Sequence, residues 1–305
     1  MAKLGIQIWQ FDQDYGQGNI PDNDAEIPLS VAVVKTNWST NWMRTVDAAP
    51  SAESLDGVRR LAGIYRDQGI DFVPWGEAHG GAKAYDEGYM MGQIAAACGH
   101  GVYMLDLEGD RAHYWNAAPG AVQEFMRGFR DGGGRELWVE PDARRGHEAA
   151  IQLDDWIADP TVTRWYPQTY WQDFYPNHAS ENRVLWGIED ATTNLRKRGV
   201  LNSRIFPVFN GDARSTAGEW QFGFEMLRQE GYGGVMVWRR GTLSRPVMDY
   251  IAGLPDDQMP GYVPPPLPPV TEPDPDFLTP IRAAREFAQA TVVTLDAVIA
   301  ANTGK

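Results

Sequence analysis

The sequence predicts an α/β protein whose main domain is a TIM (β/α)8 barrel. Eight short apolar runs recur over residues 4–254, and amphipathic helical stretches separate most of them. Strands that alternate with helices pair in parallel, and eight such units in about 250 residues match the size of this barrel. The alternative, a doubly wound open sheet, is disfavoured because no glycine-rich phosphate-binding turn follows the first strand.

The strands are predicted from the apolar runs, and glycine or proline marks most junctions between them and the helices. The predicted strands cover residues 4–11, 30–38, 71–78, 101–108, 136–143, 163–171, 204–212 and 233–241.

The helices are predicted from residues that recur three and four positions apart, which places them on one face. In residues 52–68 this face comprises Leu55, Val58, Leu61, Ala62 and Tyr65. In residues 82–98 it comprises Tyr85, Tyr89, Gly92, Gln93 and Ala96. Further helices are predicted over 119–131, 147–158, 180–198, 216–230 and 245–253, whereas the first crossover, residues 12–29, is predicted to be a loop.

The composition changes after Leu254, which divides the chain into three predicted parts. Residues 1–254 form the barrel, residues 255–276 a stiff linker rich in proline and acid, and residues 277–305 one helix with Thr279 as its N-cap. The apolar stripe of this helix is too small to fold alone. It packs on its own barrel, or it serves as an oligomerisation or docking helix that binds itself or another protein of an assembly.

Charge and hydropathy exclude two classes of partner. A net charge of −14 disfavours binding to nucleic-acid phosphates, and the apolar runs are too short to insert in a membrane. The N-terminus shows no secretory signal, so we expect the chain to be cytoplasmic at synthesis. The single cysteine, Cys98, excludes an intrachain disulfide and a cysteine-based metal site. A neutral glycan would not be repelled, and aromatic side chains, which stack on sugar rings, are abundant.

The candidate catalytic residues lie where predicted strands end, because function in a TIM barrel is located at the C-terminal ends of the strands. Asp106 and Glu108 end the fourth strand and point to the same face, since residues i and i+2 of a strand do so. Glu77, Glu108 and Glu140 end three successive strands, so we expect their carboxylates to converge. Acids crowded in a partly apolar site raise one another's pKa, which suits a general acid. We therefore predict Asp106, Glu108 and Glu77 as catalytic residues of a glycosidase-type site.

Other polar and aromatic residues at the strand ends are predicted to bind the glycan substrate. These are Gln7, Trp38, His79, Glu140, Gln168, Tyr170, Asn210 and Trp238.

The strand-end motifs over residues 4–171 resemble those of the family 25 glycoside hydrolases, the lysozyme-type muramidase barrels. The shared features are the first-strand Gly-Ile with a Trp-Gln pair, the Asp-x-Glu that ends the fourth strand, and a later element rich in Trp, Gln and Tyr. The resemblance implies that Glu108 is the general acid and that Asp106 positions the N-acetyl group of the substrate.

The sequence departs from this family at Gln7, which stands where the family has an aspartate and supplies no charge. The Asp-x-Glu pair, Gln168, Tyr170 and Trp238 also resemble the substrate-assisted chitinase-type barrels, although the longer Asp-rich signature of those enzymes is absent.

Metal chemistry has weak support. The histidines form no His-x-x-x-His pair, and a mixed site of Glu77, His79 and Asp106 is the remaining candidate. We predict no metal and no cofactor.

Two hypotheses of different classes therefore stand. In the first, the barrel hydrolyses peptidoglycan or another amino-sugar glycan. In the second, it is a non-catalytic glycan-binding or structural barrel attached to an assembly by its C-terminal helix. The layout would suit a bacteriophage virion component, such as a minor tail protein or a tail-borne lysin, although a cytoplasmic enzyme with a dimerising tail shares it.

Overall fold

The structure is a computed structural model that describes residues 4–9, 14, 29–42, 54–109, 114–212 and 214–261. Eight parallel strands form within these residues, in the compact unit that spans residues 1–263. They are β1 (Leu4–Ile8), β2 (Val31–Trp38), β3 (Asp71–Glu77), β4 (Val102–Leu107), β5 (Glu136–Pro141), β6 (Val162–Trp165), β7 (Val208–Asn210) and β8 (Val235–Trp238). A two-residue strand, Asn41–Trp42, pairs antiparallel with the end of β2.

The strands form a barrel in the order β6-β5-β4-β3-β2-β1-β8-β7. The two outer strands are joined by parallel bridges between Trp165 and Ile205 and between Gln168 and Val208. Backbone hydrogen bonds from Phe206 to Trp165 and from Thr169 to Val208, of 2.7 and 3.0 Å, run across the same junction. This closure confirms the predicted TIM barrel.

Helices follow the strands and cover the outside of the barrel. They are α1 (Leu55–Asp67), α2 (Ala84–Ala97), α3 (Ala121–Asp131), α4 (Leu153–Ala158), α5 (Trp171–Phe174), α6 (Ser180–Lys197), α7 (Ala217–Gln229) and α8 (Arg245–Ala252). Short 3-10 turns occupy Gly81–Lys83, Asn202–Arg204, Arg240–Thr242 and Asp256–Gln258.

The eight strand predictions are confirmed in position, but several elements differ in extent. The sixth strand ends at Trp165, well before residue 171, and the short helix α5, which was not predicted, begins at Trp171. The seventh strand, predicted over 204–212, spans only Val208–Asn210. The helix predicted over 147–158 begins only at Leu153. The first crossover, residues 12–29, lies outside the described residues except for Asp14 and Leu29.

The barrel interior is filled by large side chains below its C-terminal mouth. Trp138 stacks on Tyr166 with ring centroids 5.4 Å apart, and Tyr166 stacks on Phe206 at 5.1 Å. The interior cluster comprises Val33, Val73, Trp75, Met104, Trp138, Tyr166, Phe206, Val208 and Met236. A second, larger apolar layer lies between the strands and the helices. The interior of the barrel is therefore packed and not an open channel.

The face predicted for residues 52–68 is largely confirmed, whereas that predicted for 82–98 is largely wrong, with only Gly92 of its five residues buried. In α2 the buried residues are Ala84, Glu87, Gly88, Met91, Gly92, Ile94 and Ala95. Tyr89 is 40% exposed, because glycines rather than aromatic residues form the contact between α2 and α3.

The packed part of the barrel extends past the predicted boundary at Leu254. Met259 is 1% exposed and belongs to the outer apolar layer, and Gly261 packs against the backbone of Gly233. Most of the predicted linker and the whole predicted helix over 277–305 lie outside the described residues. Among the described helices, none is long and apolar enough to cross a membrane.

Candidate active site

An open cavity of about 700 Å³ lies at the C-terminal mouth of the barrel. Its walls combine carboxylates, cations and aromatic rings. The lining residues are Trp9, Lys35, Trp38, Glu77, Asp106, Glu108, Tyr114, Asp173, Asn210, Asp212, Arg214, Trp238, Arg239 and Thr242. Six of the predicted site residues are among them: Trp38, Glu77, Asp106, Glu108, Asn210 and Trp238.

Asp106 and Glu108 are brought together on the cavity wall by a glutamine. Both are partly exposed and lie at the end of β4, on the same side of the strand. The side-chain nitrogen of Gln168 donates to Glu108 Oε1 at 2.9 Å and lies 3.3 Å from Asp106 Oδ1. One neutral amide therefore holds both carboxyl groups.

The carboxyl groups of Glu77, Asp106 and Glu140 form a row across three neighbouring strands. Asp106 is the Cα partner of Glu77 on β3 and of Glu140 on β5. The predicted convergence of Glu77, Glu108 and Glu140 is thus refined: Asp106 is the fourth-strand residue in register with the other two, and Glu108 lies two residues further along the strand.

The pKa values of two residues in this row, Asp106 and Glu140, are raised. Burial raises the pKa of Asp106 well above its usual range, and the charges of Glu140, Glu108 and Glu77 raise it further. Burial also raises the pKa of Glu140 to about 8, although hydrogen bonds from Gln7 and Tyr170 oppose the increase. Protons are therefore retained in the site at neutral pH.

Glu77 is neutralised by a lysine. Lys35 on β2 forms an ion pair with Glu77, and its ammonium group lies 4.5 Å from the centroid of the Trp75 ring. Lys35 is not among the residues predicted from the sequence to form the site. Lys35 thus balances the charge of Glu77, whereas Asp106 and Glu108 share the neutral amide of Gln168.

Gln7 and Glu140 lie beneath the cavity and do not line it. Gln7 is 0% exposed and Glu140 is 2% exposed. The side-chain nitrogen of Gln7 donates to Glu140 Oε2, and the Tyr170 hydroxyl donates to Glu140 Oε1 at 3.2 Å. Burial raises the pKa of Tyr170 well above its usual range, so this hydroxyl keeps its proton. Gln168 and Tyr170 reach the site although β6 ends at Trp165, because the chain after β6 still pairs with its neighbours.

Tryptophan rings form the apolar parts of the cavity. Trp238, joined to Arg239 by a cis peptide bond, packs edge-on against Trp75 with centroids 5.7 Å apart. Trp38 is 40% exposed and packs edge-on against His79, also at 5.7 Å. His79 thus supports the Trp38 ring and is not itself a lining residue.

The residues that the sequence analysis did not single out come mainly from loops after the strands. Arg239 lies over the Trp9 ring at 4.8 Å and pairs with buried Asp14 at 3.1 Å. Arg214 pairs with Asp173 and Asp212, and Asn210 donates to Asp173 at 2.9 Å. Trp9 was detectable, because it follows Gln7 at a spacing of two and so shares its face. Asp173 and Arg214 carried no comparable signal.

Metal ligation has no support within the described residues, where no group of His, Cys, Asp and Glu side chains is arranged to hold a metal ion. Of the mixed site considered from the sequence, Glu77 pairs with Lys35 and the His79 ring packs against Trp38.

Solved structures with a similar fold include chitinases and a spore cortex-lytic enzyme. A chitinase from Rhizomucor miehei matches with a TM-score of 0.54 and 11% identity, over 82% of this chain and 99% of that chain. A GH18 chitinase from Pseudoalteromonas aurantia matches with a TM-score of 0.56 and 12% identity, over 82% and 97%. The spore cortex-lytic enzyme SleL from Bacillus megaterium QM B1551 matches with a TM-score of 0.52 and 10% identity, over 85% and 74%.

No protein-family model and no curated protein matches the sequence. At these identities the likeness shows the fold alone, a TIM barrel similar to those of the chitinases and SleL. The particular reaction has to be argued from the residues of the cavity.

Proposed function

We propose that this barrel hydrolyses an amino-sugar glycan, with Glu108 as the general acid and Asp106 as the residue that positions the substrate's N-acetyl group. The observation that carries the proposal is the Asp106–Glu108 pair, which opens into the cavity and is held by Gln168. A carboxylic acid at the C-terminal mouth of a TIM barrel is suitably placed to protonate a glycosidic oxygen.

The arrangement favours substrate assistance over a carboxylate nucleophile. A nucleophile must attack the anomeric carbon from the face opposite the leaving group, but Asp106 and Glu108 project from the same side of one strand. Asp106 therefore cannot attack opposite a leaving group that Glu108 protonates. The acetamido oxygen of the sugar itself can, which is the route of substrate-assisted glycosidases.

The proposed reaction has two steps. Glu108 gives its proton to the glycosidic oxygen as the bond from that oxygen to the anomeric carbon breaks, and the acetamido oxygen forms a bond to that carbon. Glu108, now a carboxylate, then takes a proton from a water molecule that adds to the same carbon and restores the acetamido group. Trp238 offers an apolar surface for the sugar ring, and Asn210 offers polar contacts at the rim.

The substrate class follows from the same residues. Substrate assistance requires an N-acetyl group on the cleaved sugar, which both chitin-type glycans and peptidoglycan provide. The similar solved structures support a chitinase-type reaction, and the motif resemblance supports a muramidase-type cleavage of peptidoglycan. Oligomers of N-acetylglucosamine and purified peptidoglycan are therefore the substrates to test.

The non-catalytic alternative, a glycan-binding or structural virion barrel attached through residues 277–305, uses the same cavity without the chemistry. The observation in its favour is Gln7, a neutral amide at the position where the family 25 glycoside hydrolases have an aspartate. We favour the enzyme because Gln7 lies beneath the cavity, bonded to Glu140, whereas Asp106 and Glu108 line the cavity itself.

The test is the Glu108→Gln variant, which keeps the shape of the side chain and removes its transferable proton. We expect release of reducing sugar to fall by about 10²–10⁴-fold, the contribution of a positioned general acid. Glu124→Gln on the exposed face of α3 is the matched control and should keep wild-type activity. If neither the wild type nor Glu108→Gln releases reducing sugar, and both still bind glycan, the non-catalytic alternative is established.

A further inference from the structure

The Glu140 carboxyl group is a buried ionisable group that the proposed reaction does not use. It is 2% exposed, does not line the cavity, and lies directly beside Asp106 on the neighbouring strand. Its hydrogen-bond donors, Gln7 and Tyr170, are both neutral. Burying a charged carboxylate without a cation is costly, so its position beside a proposed catalytic residue requires an explanation.

The charged and titratable groups around Glu140 come from several elements of the barrel. They are Lys35 of β2, Glu77 of β3, Asp106 and Glu108 at the end of β4, and Tyr170 after β6. Lys35 is engaged by Glu77, and no cation in the described part of the chain forms a salt bridge with Glu140. Neighbouring carboxyl groups without a cation between them cannot all ionise at neutral pH.

We propose that Glu140 is a positioning residue that acts through Asp106, by keeping a proton on the Asp106 carboxyl group while the site is at work. The inference rests on the proposed function of Asp106 as the residue that holds the N-acetyl group. A negative charge that develops on either carboxyl group disfavours a charge on the other, so the two titrate as a pair. Asp106 then reaches the substrate as a hydrogen-bond donor and not only as an acceptor.

Gln7 fits this role because an amide can serve a carboxyl group in either protonation state. Its nitrogen donates to Glu140 Oε2, while its oxygen is buried and has no hydrogen-bond donor among the described residues. A half-turn of the amide would present this oxygen to a protonated Glu140 as an acceptor. A charged acid in place of Gln7 could not alternate in this way, and it would add another negative charge to the row.

The experiment is a carboxyl ¹³C NMR titration of the full-length protein, wild type and Glu140→Gln, with the Asp106 signal assigned by its loss in Asp106→Asn. In the wild type we expect Asp106 to keep its proton well above the usual range for an aspartate. In Glu140→Gln the midpoint should move to lower pH by about one unit or more, the effect of removing one neighbouring acid. An unchanged midpoint would overturn the proposal. The proposal would also be overturned if Asp106 of the wild type titrated in one step at ordinary acidic pH. This second outcome is measured on the wild type alone, so it does not depend on whether Glu140→Gln folds.

Glu136→Gln is the matched control, because Glu136 lies on the same strand at its opposite end, in register with Val102. It should leave the Asp106 midpoint unchanged. If a glycan is cleaved, the pH profile of kcat should move to lower pH in Glu140→Gln and stay in place in Glu136→Gln. If no glycan is cleaved, the NMR titration still decides the inference, and only the proposed function fails.

Discussion

At the scale of single residues, the proposed chemistry depends most directly on Gln168. Its amide nitrogen contacts both Asp106 and Glu108 and is the polar group that fixes their relative positions. Gln168 is itself buried, and a backbone hydrogen bond of 3.2 Å to the Pro141 carbonyl oxygen anchors it after β6. Removing the amide would leave two carboxyl groups side by side without a shared donor.

We predict that Gln168→Leu lowers kcat by about 10–100-fold. The Gln168 amide stabilises the negative charge that forms on Glu108 when this residue gives up its proton, and a hydrogen bond to a charged group contributes roughly 1.5–3 kcal/mol. Steady-state kinetics on the substrate identified for the wild type provide the measurement. Gln172→Leu is the matched control, since Gln172 is a buried glutamine whose amide donates to Ser215 Oγ at 2.7 Å, away from both carboxyl groups. Equal losses of kcat in the two variants would show that Gln168 acts only through stability.

Individual site residues could be placed from the sequence where the alternation of a strand carried them. Glu77 and Asp106 lie in regular strands and Glu108 directly follows one, and all three line the cavity, as alternation along a strand predicts. Asp173 and Arg214 lie in a short helix and a loop, where no periodicity indicates which way a side chain points. Whether Gln7 and Glu140 lined the cavity or lay beneath it depended on depth within the barrel, which alternation along a strand does not give.

At the scale of secondary-structure elements, the close contact between α2 and α3 rests on two pairs of glycines. A Cβ atom on Gly92 would lie 2.2 Å from the Phe129 carbonyl oxygen, and one on Gly128 would lie 2.1 Å from that of Tyr85. Gly88 and Gly132 make equally close approaches to the opposite helix. The two backbones are therefore in direct contact, and α2 packs against β3 and β4, which carry Glu77 and Asp106.

We predict that Gly92→Ala destabilises the protein by about 1–3 kcal/mol. The added methyl group would force the helices apart, a cost of overpacking that exceeds the gain of about 1 kcal/mol in helix propensity. Gly63→Ala in α1 is the matched control, because nothing lies within 4 Å of a Cβ atom at that position. It should be stabilised by up to about 1 kcal/mol. Urea unfolding gives both values, and a Gly92→Ala protein as stable as Gly63→Ala would refute the prediction.

These glycines also explain why one helix face was assigned incorrectly from the sequence while the strands were assigned correctly. A strand in a parallel barrel is buried on both sides, so its apolar run is visible in the sequence. The contact between α2 and α3 is made by glycines, which have no side chain and so add nothing to a hydrophobic pattern. The pattern therefore predicted that Tyr85 and Tyr89 form the buried face. Glu87 reinforces the error, because this buried acid accepts hydrogen bonds from the backbone of His79 and Gly80 at 2.9 and 2.8 Å.

At the scale of the whole molecule, the buried acids of the mouth make folding depend on pH. The pKa of Glu140 is raised by burial from 4.5 in the unfolded chain to about 8, and that of Asp106 is raised in the same direction. Between these pH values the folded protein binds more protons than the unfolded chain, so the free energy of unfolding falls as the pH rises. The pKa values of Asp142 and Asp159 are lowered from 3.8, so the stability that these residues contribute is already complete at the lower end of this range and stays constant within it.

We therefore predict that the melting temperature of the wild type falls as the pH is raised from about 5 to about 8.5, and that Glu140→Gln reduces this fall by several degrees. Each kcal/mol corresponds to roughly 2–4 °C for a domain of this size. The measurement is differential scanning calorimetry of both proteins across the range. The other titratable groups are common to both proteins, so the difference between the two curves reports Glu140 together with the Asp106 carboxyl group that titrates with it. Glu136→Gln should follow the wild-type curve, and a Glu140→Gln curve parallel to the wild type would show that Glu140 ionises as freely in the folded barrel as in the unfolded chain.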